Sequence, residues 1–426
     1  MADLRSEFVG IKSPNPFWLA SAPPTDKAYN VNRAFEAGWG GVVWKTLGQE
    51  GPPVVNVSSR YGSVDVGGYR MMGLNNIELI TDRPLEVNLK EIKEIKKLWP
   101  DRAVVTSLMV PCEEQAWKDI LLKVEDTGTD GVELNFGCPH GMSERGMGAA
   151  VGQVPQYIEM VARWCKQHTK LPVIVKLTPN ITDIRNPARA AHTGGADAVS
   201  LINTINSIVS IDLDKMAPTP TVGGKGTHGG YCGPAVKPIA LNMVAEIARD
   251  NQTRGFPISG IGGVSDWRDA AEYISLGCYN VQVCTAAMRY GFKIVDDMID
   301  GLSNWMDQKG YKTIDDFRGK AIPNVTDWQY LDLNFKTIAS INKDTCIGCG
   351  LCYITCEDTS HQSIKKTSST SLKRHRDYEV IDGECVGCNL CALVCPVENC
   401  ITMVPQETGK PYQNWTQHPN NPLRSI

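Results

Sequence analysis

Two runs of cysteine carry the strongest chemical signal in the sequence. Cys346, Cys349, Cys352 and Cys356 are spaced C-x₂-C-x₂-C-x₃-C, and Cys385, Cys388, Cys391 and Cys395 repeat that rhythm with Pro396 following. Short loops between the first three thiolates wrap one face of an iron–sulfur cubane, while the fourth projects to the other cluster in two-cluster ferredoxins. The spacing therefore predicts two [4Fe–4S] clusters. One takes Cys346, Cys349, Cys352 and Cys395; the other takes Cys385, Cys388, Cys391 and Cys356. Zinc is the competing metal, but zinc ribbons pair two cysteines per half rather than running four in this rhythm. Glu357 stands where the second repeat has proline, which relaxes the backbone and removes no ligand. Cys400 is left over and reads as an ordinary buried thiol. Nine of the 15 cysteines lie from Cys346 onward. The odd total, clustered this way, argues for metal and against a disulfide framework.

A second set of reactive residues follows short apolar runs in the first three quarters of the chain. Ala20 and Ser21 end one run, and Lys45 and Thr46 end the next. Asn135 ends a third, just before Gly137-Cys138-Pro139-His140-Gly141. Lys176, Asn203–Thr204, Gly262–Gly263 and Cys284–Thr285 end four more. Cys138, in a glycine-rich loop running to Gly152, can act as a proton donor to a substrate on the side opposite a flavin. Its plainer reading is a small buried hydrophobe. His140 can assist or serve the structure. Asn76, Asn135 and Asn203 each offer a donor and an acceptor, as recognition of a pyrimidine edge requires, although asparagine is also common turn chemistry. Lys45 and Lys176 suit the charge that develops on a reduced flavin; a structural salt bridge is the alternative for either.

The elements that must position these residues are strands alternating with helices. The runs are Phe17–Ala22, Gly41–Thr46, Ala103–Met109, Gly131–Phe136, Val173–Leu177, Ala198–Asn203, Phe256–Gly260 and Asn280–Thr285. Near-continuous apolar strands suit a parallel sheet covered on both faces. Helical spacing marks Val31–Ala37, Leu85–Leu98, Glu113–Glu125, Pro155–His168, Asp183–His192, Val236–Arg249, Asp266–Leu276 and a closing Phe292–Asp307. Eight such alternations predict an α/β (β/α)₈ TIM barrel, with a doubly wound open sheet as runner-up. Barrels hold phosphate on glycines after strands seven and eight, so Gly262–Gly263 and the lysines together predict FMN at the barrel mouth.

The expected layout is an FMN barrel over residues 1–320, a linker at 321–337, a ferredoxin-like domain at 338–410 and a tail at 411–426. Within the small domain, Lys365–Arg376 (KKTSSTSLKRHR) reads as a solvated loop or, alternatively, as a docking surface for an acidic partner. Gly224–Gly229 matches G-x-G-x-x-G but follows a proline-rich loop rather than a strand, so it reads as a loop near the barrel mouth and not a nicotinamide site. A net charge of −4 offers no footprint for nucleic acid or an anionic membrane. The opening residues lack a secretory h-region, and the expected location is the cytoplasm.

The strings NPFWLASAPPT, AFEAGWGGVVWKT, LNNIELITD, LNFGCPHGMSERGMGAAVGQ, KLTPNITDI, NTINS and QVCTA resemble the dihydropyrimidine dehydrogenase family. The barrel-then-ferredoxin layout looks like the catalytic FMN/iron–sulfur subunit of its bacterial NAD-dependent form. The resemblance covers essentially the whole chain. It implies reversible reduction of uracil or thymine to the 5,6-dihydro base, with Cys138 as acid/base at carbon 5. It also implies that Asn76, Asn135, Asn203 and Thr204 hold the base, with Gly137 beside them where relatives can carry serine. Ala20, Ser21, Lys45, Thr46, Lys176, Gly233, Gly262, Gly263, Cys284 and Thr285 would contact FMN. NAD(H) would bind a separate FAD/NAD-binding flavoprotein subunit in a hetero-oligomer. The rival readings are a dihydroorotate dehydrogenase-like enzyme and a plain electron carrier with a non-catalytic barrel.

Overall fold

A computed structural model describes residues 2–49, 54–369 and 375–423. It divides into two compact units, Met1–Val325 and Thr326–Ile426. In the first, eight parallel strands close on themselves. They are β1 (Phe17–Leu19), β2 (Gly41–Leu47), β3 (Ala103–Leu108), β4 (Gly131–Asn135), β5 (Val173–Lys176), β6 (Ala198–Leu201), β7 (Ile258–Ile261) and β8 (Cys278–Val283). They neighbour one another in chain order, and β8 pairs with β1 to complete the ring. The open-sheet alternative is thereby excluded.

Alternation along each strand decides which residues face the site. On β4, Val132 and Leu134 pack outward into the main core, which leaves Glu133 and Asn135 on the inner face. The same argument turns Lys45 inward on β2 and Lys176 inward on β5, since Val42, Trp44, Val173 and Val175 belong to the outer core. The lower interior is filled by Trp18, Val43, Val105 and Ile174. Phe8 and Ile11, from the hairpin of Ser6–Phe8 and Ile11–Ser13, pack into that cluster and plug the bottom.

The outer ring consists of α1 (Ala28–Ala37), α2 (Leu85–Leu98), α3 (Glu114–Glu125), α4 (Pro155–His168), α5 (Arg185–Thr193), α6 (Lys237–Arg249), α7 (Trp267–Ser275) and α8 (Ile294–Lys309). Each carries one apolar stripe. On α2 that stripe is Leu85, Leu89, Ile92 and Ile95, with Asn88 buried among them because it accepts from Trp44 Nε1 at 3.1 Å. α7 starts on a capping box in which Asp266 accepts from the backbone of Arg268 and Asp269.

The sequence reading had no counterpart for a four-stranded antiparallel sheet beside the barrel strands. Tyr61–Val66 and Tyr69–Asn76 form a hairpin, Gly229–Cys232 pairs with the second of these, and Ile205–Ser207 adds the far edge. Gly67 and Gly68, at φ +55° and +80°, make the two-residue turn. The G-x-G-x-x-G string therefore runs into a strand of this sheet.

The second unit is small. Lys336–Ile341 pairs with Ile401–Gln406, and Ile364–Ser368 pairs with Arg376–Val380. The Lys365–Arg376 segment thus begins and ends in paired strands rather than being a loop throughout; residues 370–374 lie outside the described set. Helix Leu351–Thr359 and the short Leu390–Leu393 each begin one residue before the third cysteine of their repeat. Among the described residues, three of the seven in its core are cysteines, namely Cys352, Cys391 and Cys400, so apolar burial alone is a thin foundation. The tail folds onto residues 328–334 of the same unit: Tyr412 donates its hydroxyl to Tyr330 O at 2.6 Å, and Trp415 lies 6.1 Å from Trp328. Among the described residues, no helix is long and apolar enough to cross a membrane.

Candidate active site and cluster cavities

A cleft of about 1130 Å³, counting the solvent at its mouth, opens at the C-terminal ends of the barrel strands. Two buried ammonium groups face it. Lys45 Nζ lies 2.7 Å from Glu78 Oε1 and 3.7 Å from Asp26 Oδ2, and Lys176 Nζ lies 3.4 Å from Glu133 Oε1. The alternatives of ion pair and cleft contact are therefore both met in each lysine. Glu78 also accepts from Arg60 Nη1 at 3.1 Å and from the Tyr61 hydroxyl. Glu133, with no exposed surface, accepts through Oε2 from Ser200 Oγ at 2.8 Å and Gln282 Nε2 at 3.1 Å. Buried charges need such partners. Gln282 Oε1 has no protein partner and lies in the cleft wall, which leaves an acceptor for a bound group.

Part of the cleft wall is bare backbone. Gly233, Gly262 and Gly263 take φ of +96°, +128° and +70°, and all three line the cleft. A Cβ on Gly262 would stand 2.8 Å from Ala240 Cβ, and one on Gly263 would stand 2.8 Å from Lys237 Cβ. Only glycine fits both, and the resulting bare backbone beside Ser265, Thr285 and Ala286 suits a phosphate. Ala20, Ser21, Thr46, Cys284 and Thr285 line the same cleft. A glycine cradle, two ammonium groups and an unpaired amide oxygen match what an FMN needs.

The amides are linked to one another. Asn135 Nδ2 donates to Thr46 Oγ1 at 2.9 Å, and its Oδ1 accepts from Asn203 Nδ2 at 2.9 Å and from Gly137 N at 3.2 Å. Thr204 N donates to Asn203 Oδ1 at 2.8 Å, and Asn76 Nδ2 donates to Gly230 O at 3.0 Å. Asn76, Asn135, Asn203 and Thr204 all line the cleft; Gly137 does not. A Cβ at Gly137 would lie 2.3 Å from Asn203 Cβ, so this glycine makes room for the asparagine.

Cys138 is 9% exposed and packs with Ile80, Met109, Met142 and Met147. Burial pushes its thiol up to about 11, so the group carries its proton at neutral pH. The loop is tied at that residue: Ser143 Oγ donates to Cys138 O at 2.5 Å, and Ala149 N donates to it at 3.1 Å. His140 Nε2 lies 3.0 Å from Glu78 O, its Nδ1 is buried without a partner, and burial holds its pKa below the usual histidine range.

Several cleft residues were not read from the sequence. Tyr61, Glu78, Tyr231 and Cys232 come with the antiparallel sheet or its continuation, and Gln282 sits one turn of the pleat below Cys284. Thr285 Oγ1 donates to Cys232 Sγ at 3.3 Å, and burial raises Cys232 to about 11 and Cys284 to about 12. The Gly67–Gly68 turn between alternating runs was the legible signal for the hairpin.

In the second unit the thiols ring two cavities of similar size, about 320 and 360 Å³. Cys346, Cys349, Cys352 and Cys395 line one; Cys356, Cys385, Cys388 and Cys391 line the other. Among the described residues, no three Cys, His, Asp or Glu side chains converge as a single metal ion requires. Four thiols around each cavity, in the C-x₂-C-x₂-C-x₃-C rhythm, suit a cluster of several irons. Cys400 is buried as expected, but it also lines the first cavity.

A family profile described as dihydroorotate dehydrogenase matches residues 3–306. The chain belongs to the dihydroorotate dehydrogenase family. A second profile, 4Fe-4S dicluster domain, matches residues 339–403. Family members named dihydropyrimidine dehydrogenase are similar over most of the chain. NAD-dependent dihydropyrimidine dehydrogenase subunit PreA of Escherichia coli (strain K12) is 40% identical over 369 residues, covering 86% of this chain and 89% of the relative. Dihydropyrimidine dehydrogenase (NADP(+)), chloroplastic, of Arabidopsis thaliana is 42% identical over 332 residues, 76% of this chain and 78% of the relative. The catalytic subunit of dihydroorotate dehydrogenase B (NAD(+)) from Pyrococcus abyssi is 34% identical over 327 residues, 75% of this chain and 99% of the relative. The first alignment is longer than the barrel unit Met1–Val325, so it takes in part of the second unit as well. Like other members of the dihydroorotate dehydrogenase family, this chain is a flavin oxidoreductase acting on CH–CH groups, here joined to an iron–sulfur domain.

Proposed function

We propose that this chain is the catalytic subunit of a dihydropyrimidine dehydrogenase, converting uracil or thymine reversibly to the 5,6-dihydro base. The observation that carries the reading is a buried, protonated thiol, Cys138, on the same cleft as the amide set and the glycine cradle. FMN, when bound, supplies the hydride that carbon 6 of the base receives. Ala20, Ser21, Lys45, Thr46, Lys176, Gly233, Gly262, Gly263, Cys284 and Thr285 hold that cofactor. Asn76, Asn203 and Thr204 meet the base edge, and Asn135 holds Asn203 in place. Cys138 gives its proton to carbon 5, so the ring double bond becomes single and a thiolate remains until solvent restores the proton. The reverse reaction starts from that thiolate.

Orotate is the competing substrate, favoured by the family profile that matches the barrel. A cation left unpaired in the cleft would favour its carboxylate. The two lysines of the cleft wall are each already matched to a glutamate, which favours a neutral base.

Electrons come from NAD(P)H on a partner FAD/NAD-binding flavoprotein and pass through the clusters on the eight cysteines. The G-x-G-x-x-G string, which leads into a strand, offers no dinucleotide site of its own. The free thiols suit a reducing compartment, and we place the protein in the cytoplasm. Cys138→Ala is the direct test. Turnover of chemically reduced enzyme with uracil should drop by about 10²–10⁴-fold, the usual worth of a positioned acid, while bound FMN stays constant. Unchanged turnover would remove Cys138 as the acid, absence of uracil turnover in the parent chain would reduce the protein to an electron carrier, and turnover of orotate but not uracil would select the other substrate. Rapid uracil-dependent NADH oxidation by the purified chain alone would dispose of the partner.

A further inference from the structure

Deep in the barrel lies a carboxylate that no step of the mechanism uses. Glu133 has no exposed surface and does not itself line the cleft, yet Lys176 and Gln282, which it holds, both do. We propose that Glu133 is a positioning residue that sets the reduction potential of the bound flavin, acting through Lys176 and Gln282. This rests on the reading of the cleft as an FMN site and is independent of which base is reduced.

The chain puts Glu133 on the inner face of β4, where barrels ordinarily carry branched apolar side chains. A buried carboxylate there is costly unless it is paired and hydrogen-bonded. Its two oxygens meet different partners. Oε2 accepts from Ser200 Oγ at 2.8 Å and from Gln282 Nε2 at 3.1 Å. Oε1 lies 3.4 Å from Lys176 Nζ and makes no hydrogen bond. The ammonium is thus held by charge, with no proton tied to the carboxylate. Lys45 differs, since it donates to Glu78 at 2.7 Å.

Glu133 also fixes the glutamine. An ionised carboxylate only accepts, so the end of the amide that meets it must be Nε2. Ser259 Oγ, 3.0 Å away, takes the other Nε2 proton. The amide cannot turn over, and Oε1 is left as a buried acceptor in the cleft wall, suited to a ring N–H. Charge decides the sign of the effect. Two electrons and one solvent proton leave one extra negative charge on the ring, which Lys176 favours and Glu133 opposes. The carboxylate therefore holds the potential below the value that the lysine alone would set. A lower potential makes the reduced ring the stronger hydride donor.

The test is a potentiometric titration of the full chain with dithionite at pH 7. Visible absorbance follows the two-electron wave of FMN, and electron paramagnetic resonance follows the one-electron waves of the clusters. Glu133→Gln keeps the shape and loses the charge. Its FMN wave should rise, changing the reduced-to-oxidised ratio at fixed potential about tenfold, which is about 30 mV for two electrons. Glu133→Asp keeps the charge and should leave that wave near the parent's. The cluster waves should stay in place in both. If Glu133→Gln does not fold, Lys176→Gln is compared with the double variant Lys176→Gln, Glu133→Gln. The first leaves the carboxylate unopposed, so the double variant should lie above it by about the same tenfold. An FMN wave unmoved or lowered in Glu133→Gln, a shift as large in Glu133→Asp, a shift shared by the cluster waves, or equal waves in the two lysine variants overturns the proposal. Parent protein without FMN removes the flavin reading itself, whereas FMN present with unmoved waves removes only the role of Glu133.

Discussion

At the scale of single residues, the chemistry turns on a thiol kept neutral by its surroundings. Cys138 sits among methionines and Ile80, and burial, against a smaller lowering by its contact with the His140 backbone, moves it to about 11. The sign follows directly. Reduction of the base needs the thiol, so its single-turnover rate should be flat from neutral pH to about pH 10 and fall only as the thiol ionises. Oxidation of the dihydro base needs the thiolate, so its rate should climb about tenfold per pH unit over the same range. A reduction rate that already declines near the ordinary cysteine range, about 8.5, would show that the pocket does not hold the proton. Gly137 gives a second prediction at this scale. Its Cβ position falls 2.3 Å from Asn203 Cβ, an atom close to the backbone that cannot swing aside. Gly137→Ser should therefore displace Asn203 from Asn135, cost about 1–3 kcal/mol in denaturant unfolding and weaken uracil binding at least about tenfold. Unchanged uracil affinity, read from flavin absorbance, would mean the amide pair does not hold the base.

Elements position these groups, and they were legible to different degrees. The barrel strands could be read because both faces are buried, leaving unbroken apolar runs such as Val42-Val43-Trp44. The helices could be read from stripes such as Leu85, Leu89, Ile92 and Ile95, with Pro84 at the N-cap. Strand tops then yielded Lys45, Asn135, Lys176 and Cys284 without any structure. The antiparallel sheet was missed because its pairing is remote in sequence, Asn76 opposite Gly230, and its strands are half-exposed and short of apolar residues. Glu78 went with it: nothing local marks a glutamate as the partner of a lysine 33 residues earlier. The cradle after β7 is the element most open to test. Gly263→Ala puts a methyl against Lys237 Cβ and Gly233 O at φ +70°. Purified Gly263→Ala should contain markedly less FMN per chain at unchanged iron content. FMN at the parent level would show that the cofactor phosphate lies elsewhere.

Across the whole molecule, the two units are built on unequal foundations. The barrel has an extensive apolar core and a second cluster that plugs its lower end, neither of which uses a metal-binding residue. Among the described residues the cluster unit has seven core residues, of which Cys352 and Cys391 are proposed ligands. Small domains of this kind draw folding free energy from the metal, because the liganded site exists only in the folded state. Oxidative removal of the clusters with ferricyanide and a chelator should therefore unfold residues 326–426 while leaving the barrel intact. Limited proteolysis should then cut beyond Val325 and release a fragment that keeps its FMN and a cooperative thermal transition. Such a fragment should still bind uracil and, once chemically reduced, turn it over a single time. The clusters deliver electrons but make no contact with the base in this mechanism. Loss of FMN or of uracil binding in step with the iron would show instead that the barrel depends on the cluster unit for its own fold, and the division of labour between the two units would have to be redrawn.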